Sequence, residues 1–309
     1  MGYVALRTSF VYLQSCPVGA CAELAQSASF VLLATFMLFW LVERFDIGLL
    51  FFAILPLNAV LTLVCLVFDL PSGLIGNPSM NGTFMVAALF FFLDHLRPAW
   101  IATVFAAIIA QSVVGSGTSI PIGILGVGAS AYALAKYRWK AAPWIIAIFA
   151  AITLFGVFAV PEFFNSWDRF TRWPVFFREW EKLDVKWLGA GGGSFWVYGP
   201  MIQHSLFGAP GKEIEIMRHM HSDWAQLYLE FGFMGIILAV AALVSSLRTA
   251  KTQPGTFAAI SSLSVAAIFN WPMHCALTAL FAVFLVTCDY GPREYPSRRL
   301  KRRHRKSGS

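Results

Sequence analysis

The sequence predicts an all-α fold: a polytopic membrane helix bundle of about nine transmembrane helices, with one long external loop. Three observations point to it. The 309 residues are 58% hydrophobic and only 13% charged, with 29 Phe and 11 Trp, a composition too apolar for a water-soluble domain of this length. Apolar windows recur along the chain, and a spanning helix needs about 20 mainly apolar residues. Finally, Lys and Arg are concentrated in alternate connections between those windows.

Taken in order, the windows run from Ala28 to Val42, Gly48 to Phe68, Thr83 to Leu96, Ala99 to Val114, Ile120 to Ala135, Pro143 to Val160, Ala225 to Leu247, and across Thr256 to Thr287. The last is too long for one helix. Asn270-Trp271-Pro272-Met273-His274 interrupts it, and Pro removes a backbone donor and disfavours helix at the preceding residue, so two spans meeting at a tight turn are expected. The segment Phe10 to Cys21 is too polar, and too broken by Pro17 and Gly19, to count as a further span. No cleavable signal peptide is apparent, because Arg7 is followed by Thr8, Ser9, Gln14 and Ser15 rather than a sustained apolar core. The expected organisation is an external N-terminal segment (1–26), a six-helix region (27–160), an external loop (161–224), a three-helix region (225–288) and a basic tail (289–309).

Orientation follows from charge, since short cytoplasmic loops are enriched in Lys and Arg. One set of connections holds Arg44, Arg97, Lys136, Arg138, Lys140, Arg248 and Lys251, and then the tail from Arg293 to Lys306. The opposite short loops, at 71–81, 115–119 and 270–274, hold none. The tail is therefore expected in the cytoplasm and the 161–224 loop outside. That loop carries seven basic residues beside eight acidic ones, and long translocated segments are largely exempt from the charge rule. The net charge of +7 resides mainly in the tail, which reads as a topology anchor touching anionic lipid rather than a nucleic-acid site. No CxxC, HExxH or carboxylate cluster suggests a metal, and no cofactor is implied. Cys16 and Cys21 are placed for either a disulfide or two free thiols.

Within the loop, Trp173, Phe176, Phe177, Trp180, Leu183 and Trp187 recur at spacings of three, four and seven, one face of a helix starting near Pro174. A Trp-rich stripe opposite Arg178, Glu179, Lys182 and Lys186 describes either an amphipathic helix in the membrane interface or one packed on the outer ends of the spans. Gly189-Ala-Gly-Gly-Gly-Ser194, which includes Gly191, allows close backbone approach to a substrate but is not a nucleotide-binding P-loop. At the loop's end Asp223 and Gln226 have capping-box spacing, and His221 sits just outside the helix. Exposed amides there favour an anion and lower the pKa of an adjacent imidazole, so a neutral His221 could take a proton from a hydroxyl; the plain alternative is an interfacial histidine bonded to backbone. Glu230 lies about two turns into an apolar helix, where a carboxylate normally has a partner or a role. Gly232 and Gly235 permit close packing against a neighbour.

These residues resemble the O-antigen ligase and polymerase superfamily of bacterial membrane glycan transferases. The resemblance rests on His221-Ser222, Leu227, Glu230, Gly232 and Gly235; on Asp168-Arg169 to Trp173 leading to the Trp187–Phe195 glycine turn; on Gly76-Asn77-Pro78 to Asn81 before a span; and on Phe269 to His274 between two spans. It covers roughly Ser72 to Cys288. Two departures accompany it: Gly115-Ser-Gly-Thr-Ser-Ile120 lacks the Ser-Arg-Gly arginine of many members, and the N-terminal part is short.

The resemblance implies transfer of a glycan from a polyprenyl-diphosphate carrier, such as undecaprenyl diphosphate, to an acceptor hydroxyl, without a metal. His221 would act as base and Arg169 would stabilise the leaving diphosphate. Arg172 and Arg218 would stand in for the absent arginine, with Trp173, Gly191 and Asn77 at the substrate. Asp223, Gln226, Glu230, Gly232 and Gly235 would form the structural motif. The acceptor would be a lipid A core sugar of lipopolysaccharide, another lipid-linked glycan, or a protein hydroxyl. From other classes, a lipid-linked glycan flippase using Glu230 and His274, or a non-catalytic relative, are the competing readings.

Overall fold

The computed structural model describes residues 40, 47–70, 73–115, 120–137, 173–174, 176–182, 187–192, 194–195, 198–199, 201–203, 220, 222–270 and 272–287. The regular elements among them are all helical: α1 (Ile47–Val67), α2 (Pro78–Phe92), α3 (Pro98–Ala110), α4 (Ile120–Tyr137), α5 (Asp223–Ala250), α6 (Pro254–Phe269) and α7 (Ala276–Thr287). A π-helical turn, Gln111–Gly115, follows α3, and a 3₁₀ turn, Pro272–His274, separates α6 from α7. The expected split of the last window therefore occurs at Pro272. The expected spans Ala28 to Val42 and Pro143 to Val160 lie outside the described residues.

By length and composition α1, α4 and α5 are long and apolar enough to cross a membrane, while α2, α3, α6 and α7 are shorter apolar helices. Their outward surface fits that setting. On α1, Leu49, Leu50, Leu57, Val60, Val64 and Val67 are exposed, and on α5 so are Ile237, Leu238, Val240 and Val244. Apolar exposure on this scale is a lipid-facing or partner-facing surface rather than a solvated one.

Boundaries shift where polar residues are internally satisfied. Helix α2 begins at Pro78, five residues before the apolar window, because Asn77 caps it and Pro occupies its first turn. Its polar start was invisible to a hydropathy argument. It ends at Phe92 in a turn held by the His95 and Leu96 amides on the Phe92 carbonyl. The α3 window does not run straight to Val114, since the last turn widens into the π segment at Gln111.

Helix α6 packs mainly on α4 and α2, and α3 on α1. The core between α1, α2 and α7 is aromatic: Phe51, Phe84, Phe92 and Phe281 are fully buried. Phe51 meets Phe281 edge-on at 4.8 Å, and Phe84 meets Phe281 at 5.7 Å. Such edge-to-face pairs add about 0.5–1.5 kcal/mol each beyond area burial, which fixes the ends of these helices in a defined register.

Candidate functional site

The end of the bundle where α2 begins, α6 ends and α5 begins concentrates polar side chains in an otherwise apolar molecule. At the start of α2 the Asn77 side chain accepts from the Met80 amide at 3.1 Å, so it is occupied as the helix cap. One turn on, Asn81 is fully buried. Its Nδ2 donates to Thr62 Oγ1 at 2.8 Å and Gln111 Oε1 at 3.2 Å, and its Oδ1 accepts from Asn58 Nδ2 at 2.7 Å. Gln111 Nε2 donates to the Pro78 carbonyl at 2.9 Å, and Asn58 Oδ1 accepts from the Leu74 amide at 2.8 Å. The π turn is what brings Gln111 to this network. Neutral, mutually bonded amides are the affordable form of buried polarity.

The first turn of α5 is tied to the α6–α7 turn. The α5 cap is Ser222, not Asp223: Ser222 Oγ accepts from the Ala225 amide at 3.2 Å and donates to the Ala267 carbonyl at 3.3 Å. The capping box expected from Asp223 and Gln226 therefore does not form: the cap lies one residue earlier, and the third helical position is Ala225. Asp223 is the first helical residue, and its Oδ2 accepts from the Met273 amide at 2.9 Å. Gln226 spans between chain segments, accepting from the Met220 amide at 3.5 Å and donating from Nε2 to Glu230 Oε1 at 3.0 Å. The Asp223 amide donates to the Asn270 carbonyl at 3.1 Å, and the Gln226 amide to the Ser222 carbonyl at 2.9 Å. Three amides of this helix start are therefore bonded to protein, so less of it faces a ligand than a free helix N-terminus would offer. Asn270 Nδ2 completes the knot, donating to Ser79 Oγ at 2.6 Å.

Nine residues into α5 the helix breaks. Gly232 adopts φ 62 and ψ −161, a backbone region essentially limited to glycine. The break frees backbone groups that a continuous helix would pair internally, and the glycine turn of the loop takes them. Ala190 and Gly191 amides donate to the Leu229 and Glu230 carbonyls at 3.0 and 2.8 Å, and the Met234 amide donates to the Trp187 carbonyl at 3.2 Å. Contact is backbone to backbone. A Cβ on Gly232 would stand 2.5 Å from the Trp187 carbonyl group, and one on Gly189 2.2 Å from Glu230 backbone. Gly191, buried with φ 101, serves the same docking. The expectation that Gly232 allows close packing is met by a loop rather than a helix, while Gly235 makes room for the Phe231 side chain of its own helix.

The aromatic segment of the loop packs beside this joint. Phe176 and Trp180 are buried with Ala190, Phe195, Met220 and Leu229, and Trp173, Phe177 and Tyr228 pack against them. Trp180 Nε1 donates to the Leu229 carbonyl at 3.2 Å. Of the two placements open from sequence, the structure shows this face packed on helix α5. Trp187 departs from the stripe: it lies in the turn beyond the helix, is 65% exposed and meets Phe233 at 5.5 Å. Leu183 lies outside the described residues.

Glu230 is 9% exposed and bonded to Gln226. With Asp223, Gln226, Ser246 and Ser264 it supplies polar groups to a mainly apolar groove of about 450 Å³ between α5, α6 and α7, lined also by Ile260, Leu263 and Ala267. The structure thus brings together Asn77, Trp173, Gly191, Asp223, Gln226, Glu230, Gly232 and Gly235 at one end of the bundle. Arg169, Arg172, Arg218 and His221 lie outside the described residues. Among the described residues no three His, Cys, Asp or Glu side chains are grouped to hold a metal ion. Ser79 and Asn270 were missed from sequence; their signal was weak, an ordinary serine behind Pro78 and an amide in a turn. No family model, curated protein or solved structure matches the chain.

Proposed function

We propose that this chain is a membrane glycosyltransferase of the O-antigen ligase type. It moves a glycan from a polyprenyl-diphosphate carrier to an acceptor hydroxyl at the outer face of a bacterial inner membrane, without a metal. In this reading about nine spans hold the site, the 161–224 loop is periplasmic and the tail is cytoplasmic. The supporting observation is convergence: the motif segments 77–81, 187–191, 222–232 and 270–273, scattered over the chain, are hydrogen-bonded to one another at one end of the bundle. A membrane-level groove beside them suits a lipid-borne substrate.

His221, adjacent in sequence to the Ser222 cap, would accept the acceptor proton, and Arg169 would stabilise the leaving diphosphate, with Arg172 and Arg218 contributing. The acceptor is a lipid A core sugar, a lipid-linked glycan or a protein hydroxyl. The test is direct. His221→Ala and Arg169→Ala should each abolish glycan transfer in cells while the protein stays inserted; retention of transfer in both would refute the assignment.

A flippase is the second reading, because a broken helix bearing a buried carboxylate is a transporter feature. Here, however, the freed carbonyls of Leu229 and Glu230 are capped by loop amides rather than presented to a path. Loss of a flippase would trap lipid-linked glycan on the inner leaflet, whereas loss of a transferase would let it accumulate outside.

A further inference from the structure

We infer that Asn270 and Ser79 are positioning residues for the proposed transfer, acting through the first turn of α5. This rests on the transferase reading and on His221 serving as its base. The argument starts from what Asn270 holds. It ends α6 in extended backbone, φ −150 and ψ −178, and is 3% exposed. Its carbonyl takes the Asp223 amide at 3.1 Å, and its side chain donates to Ser79 Oγ at 2.6 Å, across 191 positions of sequence. Ser79 in turn stands in the first turn of α2, directly behind the Asn77 cap and Pro78.

The α5 start is therefore held from three sides. Asp223 is fixed by Asn270 and by the Met273 amide, and Ser222 by the Ala267 carbonyl. The apolar core does not require these bonds, because α6 already packs on α2 and α5 on α6 through apolar side chains. They fix instead where the first turn of α5 stands relative to the start of α2. Displacement of a reacting group by about 1 Å can cost on the order of 100-fold in rate without weakening substrate binding.

The test uses the full chain reconstituted in vesicles with an undecaprenyl-diphosphate-linked oligosaccharide as donor. Ser79→Ala and Asn270→Ala should each lower kcat about ten-fold or more, with donor KM unchanged. The double variant should be no worse than the poorer single, since both remove one bond. Ser79→Thr, which keeps the hydroxyl, should restore kcat. Independently of activity, electron-spin distances between nitroxides at the exposed positions Leu74 and Met273 should broaden in Ser79→Ala and stay narrow in Ser79→Thr. Unchanged distances in Ser79→Ala, or losses that multiply in the double variant, would overturn the inference. A wild-type chain that transfers no glycan would overturn the transferase reading instead, leaving the distances to judge whether the Asn270–Ser79 bond holds the α6–α7 turn against the start of α2.

Discussion

Single residues carry conformations that nothing else could supply, and Gly232 is the clearest. Gly232→Ala would place a side chain in a backbone region that costs an L-residue on the order of 1–3 kcal/mol, and would drive its Cβ into the Trp187 carbonyl. A lower melting temperature in detergent and loss of protease protection in the 187–191 turn are expected. An unchanged variant would show that the break is not needed. Trp180 separates two contributions. Trp180→Phe keeps the ring packing against Phe176 and Phe195, at centroid distances near 6.0 Å, but loses the indole bond to Leu229. It should cost about 0.5–1.5 kcal/mol, against about 3–5 kcal/mol for Trp180→Ala, read from thermal unfolding of the two variants.

Asp94, in the turn after α2, gives a pH dependence with a definite sign. Burial raises its pKa, but hydrogen bonds from Lys136 Nζ and Tyr132 Oη, each 2.7 Å, outweigh that and hold it below the ordinary carboxylate value. A carboxylate with a lowered folded-state pKa contributes stability that is complete above its unfolded value, near 4, and is lost as pH falls through the folded value. Asp94→Asn should therefore flatten stability against pH in that acid window. Because the carboxylate is 52% exposed, the effect is small. An acid limb of stability identical in both proteins would remove the pair from the account.

At the scale of elements, α2 and α5 show what was legible in the sequence and what was not. Among the described residues the helix positions could be read because apolar runs have few alternatives, and the α6–α7 turn because Pro272 lacks an amide. The polar start of α2 could not, because Asn58, Thr62, Asn81 and Gln111 come from three elements and only their meeting makes burial tolerable. The capping box failed for a related reason: Ser222 and Asp223 both have cap chemistry, and the Met273 amide decides between them by claiming the carboxylate. The Gly232 break was hidden because its partners lie some forty residues earlier in the chain. The network predicts its own sensitivity. Asn81→Leu removes the acceptor of the Asn58 Nδ2 donor, and a buried amide left unsatisfied costs about 1–3 kcal/mol, so it should destabilise more than the outward Leu57→Ala on α1. Comparable melting temperatures for the two would refute the network's importance.

For the whole molecule the question is which end faces outward, and charge and geometry supply separate answers that must agree. The helices run so that the starts of α2, α4 and α5 share one end with the α6–α7 turn, while Asp94, Lys136 and Lys251 follow helix ends on the other. The knot around Asn270 and Ser79 marks the first end. The second carries Arg97, Lys136, Arg248 and Lys251 in its connections, the pattern of a cytoplasmic face. In the proposed transferase reading, the site for the lipid-borne donor belongs on the first. Cysteines introduced at Leu74, exposed beside the knot, and at Lys251, exposed after α5, read the two faces directly against a background in which the native cysteines are replaced. A membrane-impermeant maleimide should label Leu74→Cys in spheroplasts and reach Lys251→Cys only after the membrane is opened. Labelling in the reverse order would invert the chain and put the knot in the cytoplasm, where a periplasmic transfer reaction could not use it.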